Sequence, residues 1–377
     1  MPVPDGTDRR PRILVVGGYG VFGARVVERL ARTDQLAIIV AGRDLAHARL
    51  EVARLQPRSL APIEAARIDA ERVGAAELAA LRPTVVVNAS GPFQRQDTTL
   101  AGAAIGAGAH YVDLADAREF VTGITALDAD ARAANVLVVS GASSVPALSA
   151  ALIEASIGDF TRLTDVHYGI SPGNRFDPGL ATTRSILGSL GRPFPVLEAG
   201  KTRPAHGWQR TIAHRFGDHG IRLMGACDIP DLALFPARYP TLATLRFSAG
   251  VEVKAFHLAL TALSWLARAG VVREPERLAA PLLGLKRRLG WLGSDTGCMF
   301  MTLAGVGRDG QPARRTWHVI GASGHGPYIP AIPATILARR LAAGKIGERG
   351  ARACLGLMSL AEFKDEVADL DIRVTLT

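Results

Sequence analysis

The stretch ILVVGGYGVFGARVVERL (Ile13–Leu30) decides the fold: an apolar burst, a knot of glycines and an amphipathic run. Gly18, Gly20 and Gly23 fit the pattern G-x-G-x-x-G, with an extra glycine, Gly17, in front. Alone that pattern is weak. Here it follows an apolar strand (12–16) directly and opens a helix whose apolar face carries Val26, Val27 and Leu30, the context a dinucleotide fingerprint requires. Gly18 is expected to permit the tight turn, Gly20 to let backbone approach a pyrophosphate, and Gly23 to let helix pack on strand. The helix N-terminus attracts phosphate charge. Tyr19, Val21 and Phe22, interleaved with these glycines, are expected beside the cofactor. A turn with no ligand is the structural alternative.

The next strand reads IIVAGRD. NAD sites place an acid at its end to accept from the ribose hydroxyl. Gly42 stands there instead and Arg43 follows, whose planar fork suits a 2′-phosphate. The expectation is NADP, with NAD as the alternative through Asp44, which could equally cap the helix starting at Leu45. Asp69, ending a third strand, is expected near the adenine. The fourth strand ends in NASGPF, so Ser90, Gly91, Pro92 and Phe93 are expected as a wall beside the nicotinamide ribose, because chain leaving the carboxyl ends of such strands lines the ligand crevice.

Outward from these motifs the first 160 residues alternate regularly. Apolar runs at 12–16, 36–42, 65–69, 84–90, 110–115 and 136–142 are separated by segments of helical spacing. That alternation predicts an α/β fold, a Rossmann-type doubly wound parallel sheet. After Asp159 the rhythm changes to strands at 162–172, 194–203, 207–216, 242–253, 298–306 and 314–322, with helices near 180–190, 255–270 and 274–289. An α+β domain with a mainly antiparallel sheet follows. The expected division is 1–158 for the nucleotide domain, 159–326 for a substrate or dimerisation domain, a helix near 327–345 returning to the first domain, and a C-terminal segment 346–377.

The chain of 377 residues has a formal charge of +9 and only three cysteines, Cys227, Cys298 and Cys354, far apart. Neither disulfide framework nor metal site is expected, and the scattered basic residues show no nucleic-acid pattern. MPVPDGTDRRPR lacks the apolar core of a signal peptide and reads as a disordered cytoplasmic lead-in. The most apolar run, Ala255–Val272, is interrupted by His257 and Arg268 and falls short of a spanning segment. It is expected in a core or homodimer interface, with a basic amphipathic surface at 255–293 in peripheral contact with a membrane or a greasy substrate as the alternative.

Taken together, VVGGYGVFG, AGRD, VVNASGPF, AGAHYVDLADAREF and VSGASSVPALS resemble the saccharopine dehydrogenase-like oxidoreductase family over residues 12–155. The resemblance implies an NAD(P)-binding Rossmann domain followed by a substrate or dimerisation domain. It also implies reduction of imines formed from amino acids, or oxidation of the corresponding amines. Relatives include an enoyl reductase acting on lipid intermediates. Saccharopine carries several carboxylates, but Arg175, Arg184, Arg203 and Arg210 stand at no diagnostic spacing for it.

Hydride transfer needs one proton donor near the cleft. The candidates are Asp113 and Asp116 of HYVDLADAREF, Ser143 of SGASSVPAL, and His167 or Tyr168 of VHYGISPGN. Ser144, with Asn174, Arg175 and Arg184 of SPGNRFDPGLATTRS, are the candidate substrate contacts, each with a cap or turn role as the structural alternative. The function expected is a cytoplasmic, NADP-preferring oxidoreductase acting on a small imine, amine or carbonyl. A lipid-directed reductase and a non-catalytic NADP-binding sensor are the alternatives.

Overall fold

Six strands fall where the alternation placed them: β1 (Arg12–Val16), β2 (Ala37–Gly42), β3 (Ile63–Arg67), β4 (Val85–Asn88), β5 (His110–Asp113) and β6 (Leu137–Ser140). They come from a computed structural model that describes residues 10–377. Most of the N-terminal lead-in, residues 1–9, lies outside the described residues. The second half contributes β7 (Phe160–Ser171), β8 (Pro193–Glu198), β9 (Lys201–His206), β10 (Ile212–Arg215), β11 (Ile221–Ala226), β12 (Thr244–Val251), β13 (Gly297–Gly307) and β14 (Pro312–Gly321). Two late strands, β15 (Gly350–Ala353) and β16 (Ile372–Leu376), complete the set.

The first sheet is parallel throughout, in the order β15-β6-β5-β4-β1-β2-β3. Both its faces are buried. Along β1, Ile13 and Val15 enter one core, while Leu14 and Val16 enter the other. That is why these strands read as continuous apolar runs. The chain order reverses between β1 and β4, and at such a switch point an open parallel sheet leaves its ligand crevice.

The second sheet runs β10-β11-β12-β7-β13-β14-β16, with β8 and β9 attached through β12; only β12 and β7 pair in parallel. One face packs on a core that includes Tyr168, Met301 and Phe235. Helix Ile332–Ala342 joins the two domains: Leu337, Ala338 and Leu341 sit in the first domain's core, Ile332 and Ile336 in the second's. Residues 346–377 do not stand apart, since β15 extends the first sheet and β16 the second. Buried Arg29 of the first helix reaches Glu366 and Asp369, both at 2.9 Å, and clamps the C-terminal region onto the nucleotide domain.

The expected single strand at 194–203 is the β8–β9 hairpin. Ala199 and Gly200 take φ of +48° and +74°, the two-residue reversal that matches strand twist. Helix Asp231–Arg238 carries an internal Pro236, which hides it from a periodicity reading. Helix Lys254–Arg268 is not a core element: only His257 and Ser264 are buried along its fifteen residues. Among the described residues no helix is long and apolar enough to cross a membrane.

Candidate functional site

The glycines divide their labour differently from the expectation. Gly17, not Gly18, takes the left-handed conformation, at φ +79°. A Cβ on Gly17 would meet the backbone of Ala89 at 2.8 Å, so the turn is pressed against the end of β4. Gly18 is glycine because Val15 O lies 2.8 Å from where its Cβ would stand. Both amides donate to Ala41 O, at 2.8 and 3.1 Å, fixing the turn to β2. At Gly23 a Cβ would come within 2.1 Å of Gly17 O, the close helix–strand packing expected there. Gly20 differs: its only neighbour is Gly17 O at 3.1 Å, and the rest is open space. An open backbone at the mouth of a helix is the cradle a diphosphate fits.

The end of β2 explains why no acid stands there. The ring of Tyr19 lies on Gly42, where a Cβ would be 2.5 Å from its hydroxyl. The Tyr19 hydroxyl accepts from the Asp44 amide at 3.0 Å. Asp44 caps helix Leu45–Leu55, accepting from the amides of Ala46 (2.8 Å) and His47 (3.2 Å) and from the His47 ring at 2.7 Å. Those bonds commit its carboxylate to the helix and hold its pKa below the usual range, the His47 ring being the largest cause. Exposed Arg43 follows Gly42, and Arg67 at the paired end of β3 donates to Arg43 O at 3.3 Å. Two arginines therefore close the adenosine end. Arg67 was missed in the sequence, although its place at a strand's carboxyl end marks it. Half-buried Asp69 accepts from the Glu71 amide at 3.3 Å, a local turn bond.

The other lip of the crevice is the turn after β4. Asn88 Oδ1 accepts from the Ser90 amide and hydroxyl, at 3.0 and 2.6 Å, and the Gly91–Pro92 peptide is cis. The backbone of Ala89 and Ser90 lies against Gly17 of the glycine turn, within 2.9 Å of where its Cβ would stand. Phe93 corrects the expectation: its side chain is buried against Phe120, centroids 5.3 Å apart, and is core rather than cofactor wall.

Three catalytic candidates are also corrected. Asp113 is wholly buried, and its Oδ1 accepts from Ser140 Oγ, Gly141 N and Ala115 N at 2.8–3.0 Å. It ties β5 to the loop after β6; burial pushes its pKa up to about 6. Tyr168 is wholly buried on the core face of β7, with its hydroxyl donated to Asp231. Ser149 Oγ donates to the same Asp231 oxygen at 2.5 Å, and burial pushes Asp231 up to about 7. Ser143 and Ser144 are buried in the turn before Pro146, and the Ser143 carbonyl accepts from Leu148. A group buried to this degree is an unsuitable proton donor to a substrate.

Asp116 is the candidate that solvent reaches. It is exposed, yet the walls around it raise its pKa, desolvation being the largest cause; Gln94 Nε2 donates to it at 3.2 Å. Cys227 and Asp228 of the second domain lie close to it, and Asp228 forms an ion pair with Arg118. Burial, with Asp228 and Asp116 adding to it, pushes the Cys227 thiol up to about 12, so it stays protonated.

The loop expected to contact substrate does come to the site, by other residues. Phe176 packs on Phe22 of the glycine turn, centroids 6.3 Å apart, and Gly179 lies beside Val21. Asn174 corrects the expectation: it is buried, its amide donating to Glu252 (2.6 Å) and its side chain to Leu289 O (2.8 Å), so it braces the loop. Arg175 and Arg184 are exposed.

A glycine turn at the switch point of a β3-β2-β1-β4-β5-β6 sheet defines a dinucleotide-binding protein, and the comparisons narrow that class. Residues 13–139 match the model of the saccharopine dehydrogenase NADP binding domain. The first domain is thus of the saccharopine dehydrogenase-like NADP-binding kind, the chain falls among NAD(P)-dependent oxidoreductases, and the cofactor is NADP or NAD. No curated protein matches. The whole fold is similar to apo saccharopine dehydrogenase (L-Glu forming) from Saccharomyces cerevisiae, with TM-score 0.70 at 13% identity over 97% of this chain and 99% of that one. A meso-dapdh mutant with DAP from Clostridium tetani E88 also matches, with TM-score 0.45 at 13% identity over 95% of this chain and 100% of that one.

Proposed function

We propose that this protein is an NADP-preferring oxidoreductase that moves hydride to or from the carbon of a small imine, amine or carbonyl held between the two domains. The observation that carries the preference is the end of β2: Asp44 is spent on a helix cap while Arg43 and Arg67 frame the ribose position. When bound, the nicotinamide supplies or accepts the hydride. The backbone at Gly20 receives the diphosphate, and the Ser90–Pro92 turn walls the ribose. Hydride arriving at carbon leaves negative charge on the substrate nitrogen or oxygen, and a proton must meet it. Asp116 holds that proton: its raised pKa keeps the carboxyl protonated at a higher pH than an ordinary aspartate.

The test has two arms. NADPH at about 100 times its Kd should add about 2.7 kcal/mol of stability; if saturating NADPH and NADH both leave Tm unmoved, the reading fails. A panel of imines, ketones and enoyl thioesters is then followed by NADPH absorbance. Asp116→Asn should lower kcat by about 100-fold or more with NADPH affinity unchanged. Wild-type turnover by that variant refutes the proton-donor role. Enoyl thioesters as the sole acceptors would shift the reading to a lipid-directed reductase, which the exposed apolar surface of residues 254–292 favours.

A further inference from the structure

Helix Lys254–Arg268 is apolar on both faces. Its inward face packs Leu260, Leu263 and Ala267 on a small cluster beside His257, Thr261 and Ser264; Ser264 Oγ donates to Gly207 O, and Gln209 Nε2 donates to Ser264 at 3.2 Å. Its exposed positions between the terminal cations are Ala255, Leu258, Ala259, Ala262, Trp265 and Leu266, with no polar residue among them. A water-facing helix normally shows the reverse.

The exposure continues into the next helix, Ala279–Arg288, and the turn after it. Of the twelve large apolar side chains exposed among the described residues, eight fall within 254–292, among them Trp265 at 54% and Trp291 at 71%. Both helices rest on one small cluster through Leu260, Leu263, Ala279 and Leu282, so their outer residues belong to one neighbourhood. Exposed apolar residues gathered in this way mark an interaction site.

Charge selects the partner. Residues 254–292 hold seven Lys and Arg against two Glu, a net +5 within a chain of +9. A two-fold copy would set this patch against itself, cation against cation. An anionic lipid surface offers an apolar interior for Trp265, Leu266 and Trp291 and negative headgroups for Lys254, Arg273 and Arg288.

We infer that this face docks on an anionic membrane surface, lying in the headgroup region without crossing. The docked helix adjoins the nucleotide site: Lys286 Nζ donates to Asn174 O at 2.9 Å and to Phe176 O, and Phe176 packs on Phe22 of the glycine turn. Docking therefore sets the loop beside the cofactor turn at the lipid boundary. The inference does not rest on the redox reading.

The four tryptophans make the test direct, because Trp208 and Trp317 are buried while Trp265 and Trp291 are exposed. Full-length protein is titrated with phosphatidylcholine vesicles with and without phosphatidylserine, followed by co-sedimentation and tryptophan emission. Phosphatidylserine vesicles should bind the protein and shift emission to the blue, and high salt should weaken binding. Trp265→Ser with Trp291→Ser should cut binding by at least about tenfold, and Arg273→Ser with Arg288→Ser should abolish the preference for phosphatidylserine. An unchanged NADPH-induced Tm shift in these variants shows that they are folded and separates this test from that of the redox reading. No binding by the wild type, binding unaffected by the substitutions, or a solution dimer that the tryptophan substitutions dissociate would each overturn the inference.

Discussion

Replacing Arg43 by Ala isolates the adenosine end of the site. The guanidinium is exposed, its backbone carbonyl already accepts from Arg67, and the Tyr19 ring covers the neighbouring Gly42. Nothing in the fold depends on the Arg43 side chain, so stability should hold. A hydrogen bond to a charged group contributes about 1.5–3 kcal/mol, and exposure favours the lower half of that range. About 1.5–2 kcal/mol corresponds to a loss of roughly 10- to 30-fold in NADPH affinity. NADH, lacking the 2′-phosphate, should lose less than about twofold on the same scale. The difference should shrink at high salt, since the Debye length is about 10 Å at 0.1 M and falls to about 3 Å at 1 M. Calorimetric titration of wild type and Arg43→Ala with both nucleotides at two salt concentrations measures this. Equal losses for NADPH and NADH would refute the phosphate-clamp reasoning. Asp44→Ala is the control: it should lower stability by about 1 kcal/mol through the lost helix cap and leave the NADPH to NADH ratio alone. Selective loss of NADH there would restore Asp44 as a ribose ligand.

Gly20→Val should abolish binding of both dinucleotides while leaving the circular dichroism spectrum and Tm near wild type, because only Gly17 O crowds that position. By contrast Gly23→Ala, with Gly17 O at 2.1 Å from the new Cβ, should cost about 1–3 kcal/mol or more on denaturant unfolding; a stable Gly23→Ala would show that the helix can lift off the turn. Asp231 gives a pH signature: its folded pKa of about 7 lies above the ordinary value of 3.8, so the folded state holds the extra proton and stability falls as pH rises from about 4 to 7. At 1.36 kcal/mol per pKa unit the full span is at most about 4 kcal/mol. Asp231→Asn, which can still accept from Tyr168 and Ser149, should flatten that slope and raise Tm at pH 8; an unchanged pH profile of urea unfolding would rule the carboxyl out.

The parallel sheet was legible because strands buried on both faces have no freedom to be anything but apolar, and Ile13 to Val16 and Val85 to Val87 carry that constraint openly. The glycine turn was legible as a motif but not in its parts. Whether Gly17 or Gly18 takes the positive φ depends on how close Ala89 and Val15 O come, and the Gly17–Ala89 contact joins residues dozens of positions apart. The same distance separates the polar residues misread as chemistry. Asp113 at a strand's end and Tyr168 alternating with His167 along a strand are residue types compatible with proton donation. Their partners, Ser140 and Gly141 for one and Asp231 for the other, instead bond them inside the protein. A buried polar group bonded in this way is a structural staple. The one a mechanism can use still faces space, as Asp116 does three residues beyond Asp113 on the same strand exit. The apolar composition of the 254–268 run fits a core or a homodimer interface; the structure excludes the core alone, since His257 and Ser264 have partners inward beside Leu260 and Leu263 while Leu258, Trp265 and Leu266 point out. Hydrogen bonds and apolar packing together orient that helix, and leaving its outward apolar face in water is unfavourable until a partner covers it.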